Sequence, residues 1–431
     1  MFGLLGEKKL MKVPEKLARA FGEDFEKQIA EFTQKEGLLP DLPSLHSPRF
    51  ISRSIVPHIV KLSSLFNRVK DGVTQDQASG LKPYWKSGSN PEHLRLAYFL
   101  YFMPCNLFRV ASVWAELHRL GFSWPKQTLR AIEFGAGPAS GLCGIAAGEK
   151  YAPLGLPSSV DWALLEQDKS VLELGVKWAQ TYLEFLGMKD WGIRPFHRKV
   201  DPQKWGFLPE NAPSFNLWLM SFYLNELEMD SDSLADLLLE SWQRHLDEEG
   251  LVLMIEPALK LQSRRLLELR KSLIQKIQLK KIENLQILLP CLGHQTCGAL
   301  ANPDDWCHEE VTWWRPPYFR KIDQMASLDR KTLPFSYLVI IKSKRRREEI
   351  LPALAQTEAS RRFRLVSPAH HEGKDLEFFI CGQEGKKRAR FHPEAKDTSE
   401  EDSIQRGSIL LEAKIRGNEN SARIDEIQKK L

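Results

Sequence analysis

Glu133-Phe134-Gly135-Ala136-Gly137 puts a carboxylate two residues ahead of a glycine turn. The run Leu129 to Glu133 before it suits a buried strand, and Gly141 to Gly148 after it reads as the start of a helix. Strand, glycine turn and helix are how a doubly wound α/β fold opens its nucleotide site. Glycines let the backbone turn tightly with no Cβ between it and a ligand. A dinucleotide site asks for G-x-G-x-x-G. Gly135, Gly137 and then Gly141 miss the third glycine, which argues against a nicotinamide oxidoreductase.

The acid-x-Gly-x-Gly string resembles motif I of the S-adenosylmethionine (SAM) methyltransferases. In that motif the acid, here Glu133, orients the amino-acid end of SAM, and the glycines, here Gly135 and Gly137, admit its ribose and methionine. About 30 residues on, a spacing that suits a βαβ unit, Val160 to Asp168 is a second strand ending in acids. An acid there accepts both ribose hydroxyls. Asp168 is the first choice and Glu166 the alternative. Asp201, in a Pro-rich loop, is a candidate for the adenine amino group.

The second chemical signal is thiol-rich. Cys291, Cys297 and Cys307 follow one another as C-x5-C and C-x9-C, with His294 and His308 among them. Crowded thiolates repel unless a cation compensates them, so a soft metal is the natural occupant. Zinc takes tetrahedral Cys and His ligands. An iron–sulfur cluster takes four Cys. Cys381 is the candidate fourth ligand, and His294 and His308 compete with it. Cys105 and Cys143 lie in apolar segments and read as core.

The 431 residues are enough for two or three domains. Residues 1–125 read as helical, with amphipathic stretches from Pro14 and Ile51 and a helical hairpin broken near Pro104. Residues 126–285 carry strands at Phe215–Ser221 and Glu248–Pro257 alternating with helices, which implies a mostly parallel sheet. Residues 286–330 form the Cys/His-rich loop. Residues 331–420 form a small β module, with strands expected at 336–341, 362–366, 376–381, 387–391 and 408–414. The polar end after Gly417 is expected to be loose. No apolar run is expected to span a bilayer, and the first residues lack a signal-peptide core. Cytoplasmic location is the expectation, with no membrane and no DNA partner.

Net charge is +5, but Ala258 to Arg347 holds 18 Lys or Arg against 8 Asp or Glu. A basic middle on a near-neutral chain suggests an RNA contact. Lys344-Arg345-Arg346-Arg347 is a candidate phosphate tip. Trp313-Trp314-Arg315 and Tyr318-Phe319-Arg320-Lys321 fit stacking on unpaired bases, or core packing.

Taken together, Tyr98 to Leu117, the Glu133–Gly141 loop, Asn225-Glu226-Leu227, Glu256-Pro257, Pro290-Cys291, His294, Cys297, Trp306-Cys307-His308 and Phe335 to Leu338 resemble one family. It is the methyltransferase-like proteins of the mitochondrial small ribosomal subunit and their bacterial relatives. The resemblance implies a class I, Rossmann-like methyltransferase fold and a role in small-subunit assembly or translation. It also implies a [4Fe-4S] cluster, held by Cys291, Cys297, Cys307 and Cys381, which favours iron–sulfur over zinc. Ala139 replaces a frequent third glycine and Asn216 a frequent acid. The place of the N/D-P-P-Y/F motif reads Ser221-Phe222-Tyr223-Leu224, so no catalytic residue is named. Two functions follow: a SAM-dependent methyltransferase acting on ribosomal RNA or a ribosomal protein, or an inactive, cluster-stabilised assembly factor that binds rRNA.

Overall fold

Strand β1 (Leu129–Phe134) buries every side chain but Arg130, so it belongs in the middle of a sheet. In the computed structural model, which describes residues 13–67, 91–125, 128–293, 297–392, 405–417 and 421–430, it lies there. It pairs in parallel with β2 (Val160–Glu166) on one side and β4 (Phe215–Ser221) on the other. β3 (Trp191–His197) extends the sheet beyond β2, and β5 (Leu246–Pro257) extends it beyond β4. β8 (Thr332–Lys342) runs antiparallel to β5 and carries β6 (Leu285–Leu289) and β7 (Glu309–Thr312) on its far side. The order is β3-β2-β1-β4-β5-β8-β6. This is the class I methyltransferase fold, with its order reversing between β1 and β4, where such sheets open a ligand crevice.

Alternate residues face two cores. Ala131, Leu217, Leu219 and Leu253 point to one, with the N-terminal helices. Ile132, Trp218, Met220 and Val252 point to the other, under helices Ser231–His245 and Lys260–Leu279. The N-terminal region therefore shares a core with the sheet. Its main element is one continuous helix, Glu92–Arg119, and not the expected hairpin. A π turn at Tyr98–Phe102 immediately precedes Pro104 and absorbs the extra backbone the proline demands. This helix is long and apolar enough to cross a bilayer, contrary to expectation, but 89% of its apolar window is buried inside the protein.

Other expectations move. β3 was not foreseen, because it is a largely exposed edge strand holding Pro195 and shows no apolar alternation. The strand expected at 336–341 is β8 of the main sheet, not part of the β module. The end after Gly417 is not loose where described: Ser421–Lys430 is strand β14. The loop expected over 72–90 and the acidic segment 395–402 lie outside the described residues.

The last strands form a second sheet: β9 (Arg362–Leu365), β10 (His370–Glu372), β11 (Asp375–Gly382), β12 (Gly385–Phe391), β13 (Ile409–Gly417) and β14. β9 pairs with both β13 and β11, so five strands close into a barrel. Phe363, Leu365, Phe378, Ile380, Ala389, Phe391 and Ile424 fill it. Arg364 of β9 docks the barrel on the main domain. It reaches Glu116 of the long helix and, at 3.3 Å, Glu309 of β7. Burial pushes Glu116 up, but Arg364 and Arg119 overcome it and hold the carboxyl below its ordinary value. Removing one member of such a set leaves buried charge without compensation. Arg364→Ala is expected to cost about 3–5 kcal/mol of unfolding free energy, read from denaturant midpoints.

Candidate functional site

Each loop above the crevice is tied down by a carboxylate at a strand end. Glu133, at the end of β1, accepts the N–H groups of Gly141 (3.0 Å) and Leu142 (2.9 Å). A Cβ at Gly141 would stand 2.2 Å from Glu133 Oε1, so only glycine leaves room for the acid beneath the helix. Glu133 is 1% exposed and does not line the cavity. Its expected contact with the amino-acid end of SAM is therefore replaced by a role one layer below, fixing the turn. Glu166, at the end of β2, accepts from Gly137 N (3.0 Å) and Asp168 N (2.9 Å). Glu256, at the end of β5, accepts from Leu224 N (2.9 Å) and Asn225 N (3.2 Å).

Two cavities, of about 900 and 230 Å³, open above these loops and share Gly135, Glu166, Gln167, Lys199, Tyr223 and Glu226. Gly135 and Gly137 both adopt positive φ. Gly137 faces open space, whereas a Cβ at Gly135 would meet the Tyr223 ring at 2.8 Å. Tyr223 thus packs against the first glycine, while both glycines still line the larger cavity. Asp168 lines the larger cavity, but its Oδ1 accepts Ser170 N (3.0 Å) and Val171 N (3.1 Å) as the cap of helix Lys169–Leu186. The strand-end position belongs to Glu166, and both acids line the larger cavity. Asp201 lines the smaller cavity.

The larger cavity continues past the glycine loop. Tyr98, Phe102, Asn106 and Arg109 of the long helix line it, with Phe222, Trp306, His308 and Arg330. Arg109 sits 5.5 Å above the Phe222 ring and donates to Asn106 Oδ1 at 2.8 Å. Burial lowers its guanidinium to about 10. Ser221 Oγ, Tyr223 Oη and His308 Nδ1 are buried at this wall with no hydrogen-bond partner among the described residues. Buried polar atoms of this kind ask for a polar occupant. The Glu226 carboxyl opens on both cavities and is pushed up to about 7, first by burial and then by Glu166. Three polar atoms without a described partner, an acid-held glycine loop and a mixed lining of Glu166, Asp168 and Glu226 with Arg109, Lys199 and Arg330 fit a nucleoside that carries both charges, as SAM does.

The sequence reading missed Glu226, Asn106, Arg109 and the cavity-facing role of Trp306 and His308. The stretches holding them, Tyr98–Leu117, Asn225-Glu226-Leu227 and Trp306-Cys307-His308, were among those carrying the family resemblance. Their roles had no spacing signal.

The thiol loop packs between helix Lys260–Leu279 and the barrel. Arg264 donates to the carbonyls of Ala299 (3.1 Å), Asn302 (2.8 Å) and Asp305 (2.7 Å). Arg270 donates to Gly293 O at 2.8 Å, and Arg347 to Leu292 O at 2.5 Å. Cys381 lies on β11, and the loop approaches that part of the barrel at Gly293, beside Gly382 and Gln383, and at Gly298, beside Lys386. Burial raises the Cys307 thiol well above its ordinary value, and Cys291, Cys297 and Cys381 raise it further. Burial pushes Cys381 up to about 12, aided by Cys291 and Cys297. The four sulfurs thus sense one another, yet among the described residues no three Cys, His, Asp or Glu groups converge as a metal-binding set. His294 lies outside the described residues. His308 turns to the large cavity, its ring stacked 6.1 Å from Trp306.

A family model described as mitochondrial small ribosomal subunit Rsm22 matches residues 96–398. The chain belongs to this family. A comparison with curated protein sequences found no match. Among solved structures, the plantazolicin methyltransferase BpumL in complex with SAH is 12% identical, with a TM-score of 0.34, over 62% of this chain and 95% of that one. An O-methyltransferase from Bacillus cereus in complex with SAH is 10% identical, with a TM-score of 0.29, over 63% and 93%. A structure described as a class I SAM-dependent methyltransferase from Listeria monocytogenes is 12% identical, with a TM-score of 0.33, over 74% and 88%.

In this Rsm22-family chain part of the basic middle is spent internally. Besides Arg264 and Arg270, Arg265 donates to Met229 O at 2.8 Å, and Lys276 pairs with Asp232 and Asp236 at 2.8 and 2.7 Å. At the expected phosphate tip, Lys344 is exposed, Arg346 is 79% exposed beside Glu349 (3.1 Å), Arg345 binds Glu249 (2.6 Å) and Arg347 is buried. Trp313, Tyr318 and Phe319 are core residues, which decides between the two readings offered for that segment.

The same buried acids set a pH dependence. Burial pushes Glu133 and Glu256 up to about 8, against the amide hydrogen bonds that pull them down. An unfolded glutamate titrates near 4.3. The folded chain therefore holds protons that the unfolded chain has lost, so these groups' contribution falls as pH rises toward 8 and levels above it. Denaturant midpoints are expected to drop between pH 7 and 8.5, and Glu256→Gln to flatten that drop.

Proposed function

We propose that this chain binds SAM across Gly137 and Glu166 and acts as a methyltransferase on a component of the small ribosomal subunit. The observation that carries the reading is the hydrogen bond from Gly137 N to Glu166 at the mouth of a cavity of about 900 Å³. It makes the glycine loop and the strand-end acid one preformed unit. SAM, when bound, supplies an electrophilic methyl group. Glu166 and Asp168 take the ribose side, with Asp201 in the smaller cavity toward the adenine amino group. Gly135 and Gly137 bring the backbone up to the ligand. Methyl transfer is an in-line displacement that depends chiefly on positioning. Glu226 faces the same space with a carboxyl poised near neutral pH, suited to accepting an acceptor's proton. Asn106, Arg109 and Trp306 shape the acceptor end.

Family membership supports the small ribosomal subunit as the assembly concerned, with rRNA as the expected contact. Cys291, Cys297, Cys307 and Cys381 are assigned to a [4Fe-4S] cluster, with zinc the alternative. The family resemblance carried by the thiol stretch supports the set, although among the described residues the four thiols do not converge as a metal-binding group. A cluster there pins the thiol loop to β11 and so fixes Trp306 at the cavity wall. Anaerobically purified protein is expected to show visible absorption with iron and sulfide. A colourless protein holding one zinc redirects the assignment.

A second reading, a non-catalytic cluster-stabilised assembly factor, is favoured by the Tyr223 ring on Gly135. One variant separates the two. Gly137→Arg is expected to abolish SAM binding by calorimetry, because an arginine side chain fills the space the glycine leaves open. Unchanged affinity removes the cofactor assignment. Normal subunit assembly in cells carrying the variant removes the enzyme.

A further inference from the structure

The barrel's connectivity is specific. Numbering its strands in chain order, β9 pairs with β11, β11 with β12, β12 in parallel with β14, β14 with β13, and β13 back with β9. The order 1-2-3-5-4-1, with a parallel pairing of strands 3 and 5, is that of the oligonucleotide/oligosaccharide-binding barrel, the OB-fold. Such barrels bind their ligand on the outer face of strands 2 and 3, here β11 and β12.

Connectivity alone does not give a function, so the side chains on that face decide. Along β11, Leu376, Phe378 and Ile380 point inward, which turns Glu377 and Phe379 outward. Along β12, Ala389 and Phe391 point inward, and Arg388 and Arg390 outward. Along β14, Ala422 and Ile424 point inward, and Arg423 outward. The register aligns His370, Glu377, Arg390, Arg423 and Arg416 as one row across five strands. In the next row Phe379 lies opposite Arg388. Phe379 is 39% exposed, one of few large apolar side chains so open, and Lys386 sits 4.6 Å above its ring. Glu377 orients Arg388 and Arg390 by hydrogen bonds of 2.9 and 2.5 Å, and Glu372 pairs with the same two at 3.6 and 2.9 Å, while both arginine side chains stay about half exposed, at 50% and 48%. An exposed ring framed by oriented cations is a base-stacking platform beside a phosphate track. A neutral oligosaccharide has no use for the cations, and a duplex keeps its base faces hidden.

We infer that the outer face of β11, β12 and β14, centred on Phe379, Arg388, Arg390 and Arg423, binds single-stranded RNA. The strand's identity as RNA rests on the small-subunit reading; the face is independent of the SAM crevice. It also adds a polyanion-binding face outside the basic middle of the chain.

The test uses the full chain and a fluorescein-labelled, unstructured RNA of about 12 nucleotides, within the span such barrels cover, read by anisotropy. Single-stranded RNA is expected to bind more tightly than a duplex of equal length. Phe379→Ala is expected to weaken binding about tenfold, the loss of one stacked base, and Phe379→Tyr to restore it. Arg423→Ala is expected to weaken binding and to lower the slope of log affinity against log salt by about 0.7. Melting temperature and SAM titration are expected to stay at wild-type values in all three. Wild-type affinity in both alanine variants, or a preference for duplex, overturns the inference. Gly137→Arg is expected to leave RNA binding intact, so failure of the SAM reading stays distinguishable.

Discussion

Buried carboxylates that each take two backbone N–H groups hold the working edge of this protein together. Glu133, Glu166 and Glu256 stand at the ends of β1, β2 and β5 and tie the loops that follow or neighbour them. A carboxylate removed from water is costly unless its lone pairs are satisfied, and the loop amides are equally costly to leave alone. Each solves the other's problem. The result is a crevice whose floor is fixed before any ligand arrives, at the place where the sheet order reverses.

The arginines of helix Lys260–Leu279 play the complementary part. Arg264, Arg265 and Arg270 donate to carbonyls of chain segments that have no regular partner. They hold the thiol loop and the segment after Glu226 in place, so part of a cation-rich stretch becomes scaffolding. The thiol loop in turn meets the barrel beside Gly382 and presents Trp306 and His308 to the large cavity. The thiol loop thus links crevice and barrel, and Arg364 separately ties the barrel to the long helix and to β7.

Local rules made much of this readable in advance. The buried run into Gly135, the strand Phe215–Ser221 and the helices from Ser231 and Lys260 follow from periodicity and turn chemistry. β3 escaped because an exposed edge strand needs no apolar alternation, and β14 because its polar outer residues mask an inner face of Ala422 and Ile424. The proline-containing helix Glu92–Arg119 read as broken because Pro104 usually ends a helix, whereas a widened turn accommodated it.

Residue type and order alone determined the acid-glycine loop, the four thiols and the alternating strands, since each depends on neighbours a few positions away. Only the tertiary structure decided which acid lines the cavity and which lies beneath it, because Glu133 and Glu166 both take amides and differ in depth, not in kind. It alone decided which cations are free, since a guanidinium's partner carbonyls lie tens of residues off along the chain. And it alone closed the last strands into a barrel, because a pairing of β9 with β13 and β11 is a long-range contact that no local pattern encodes.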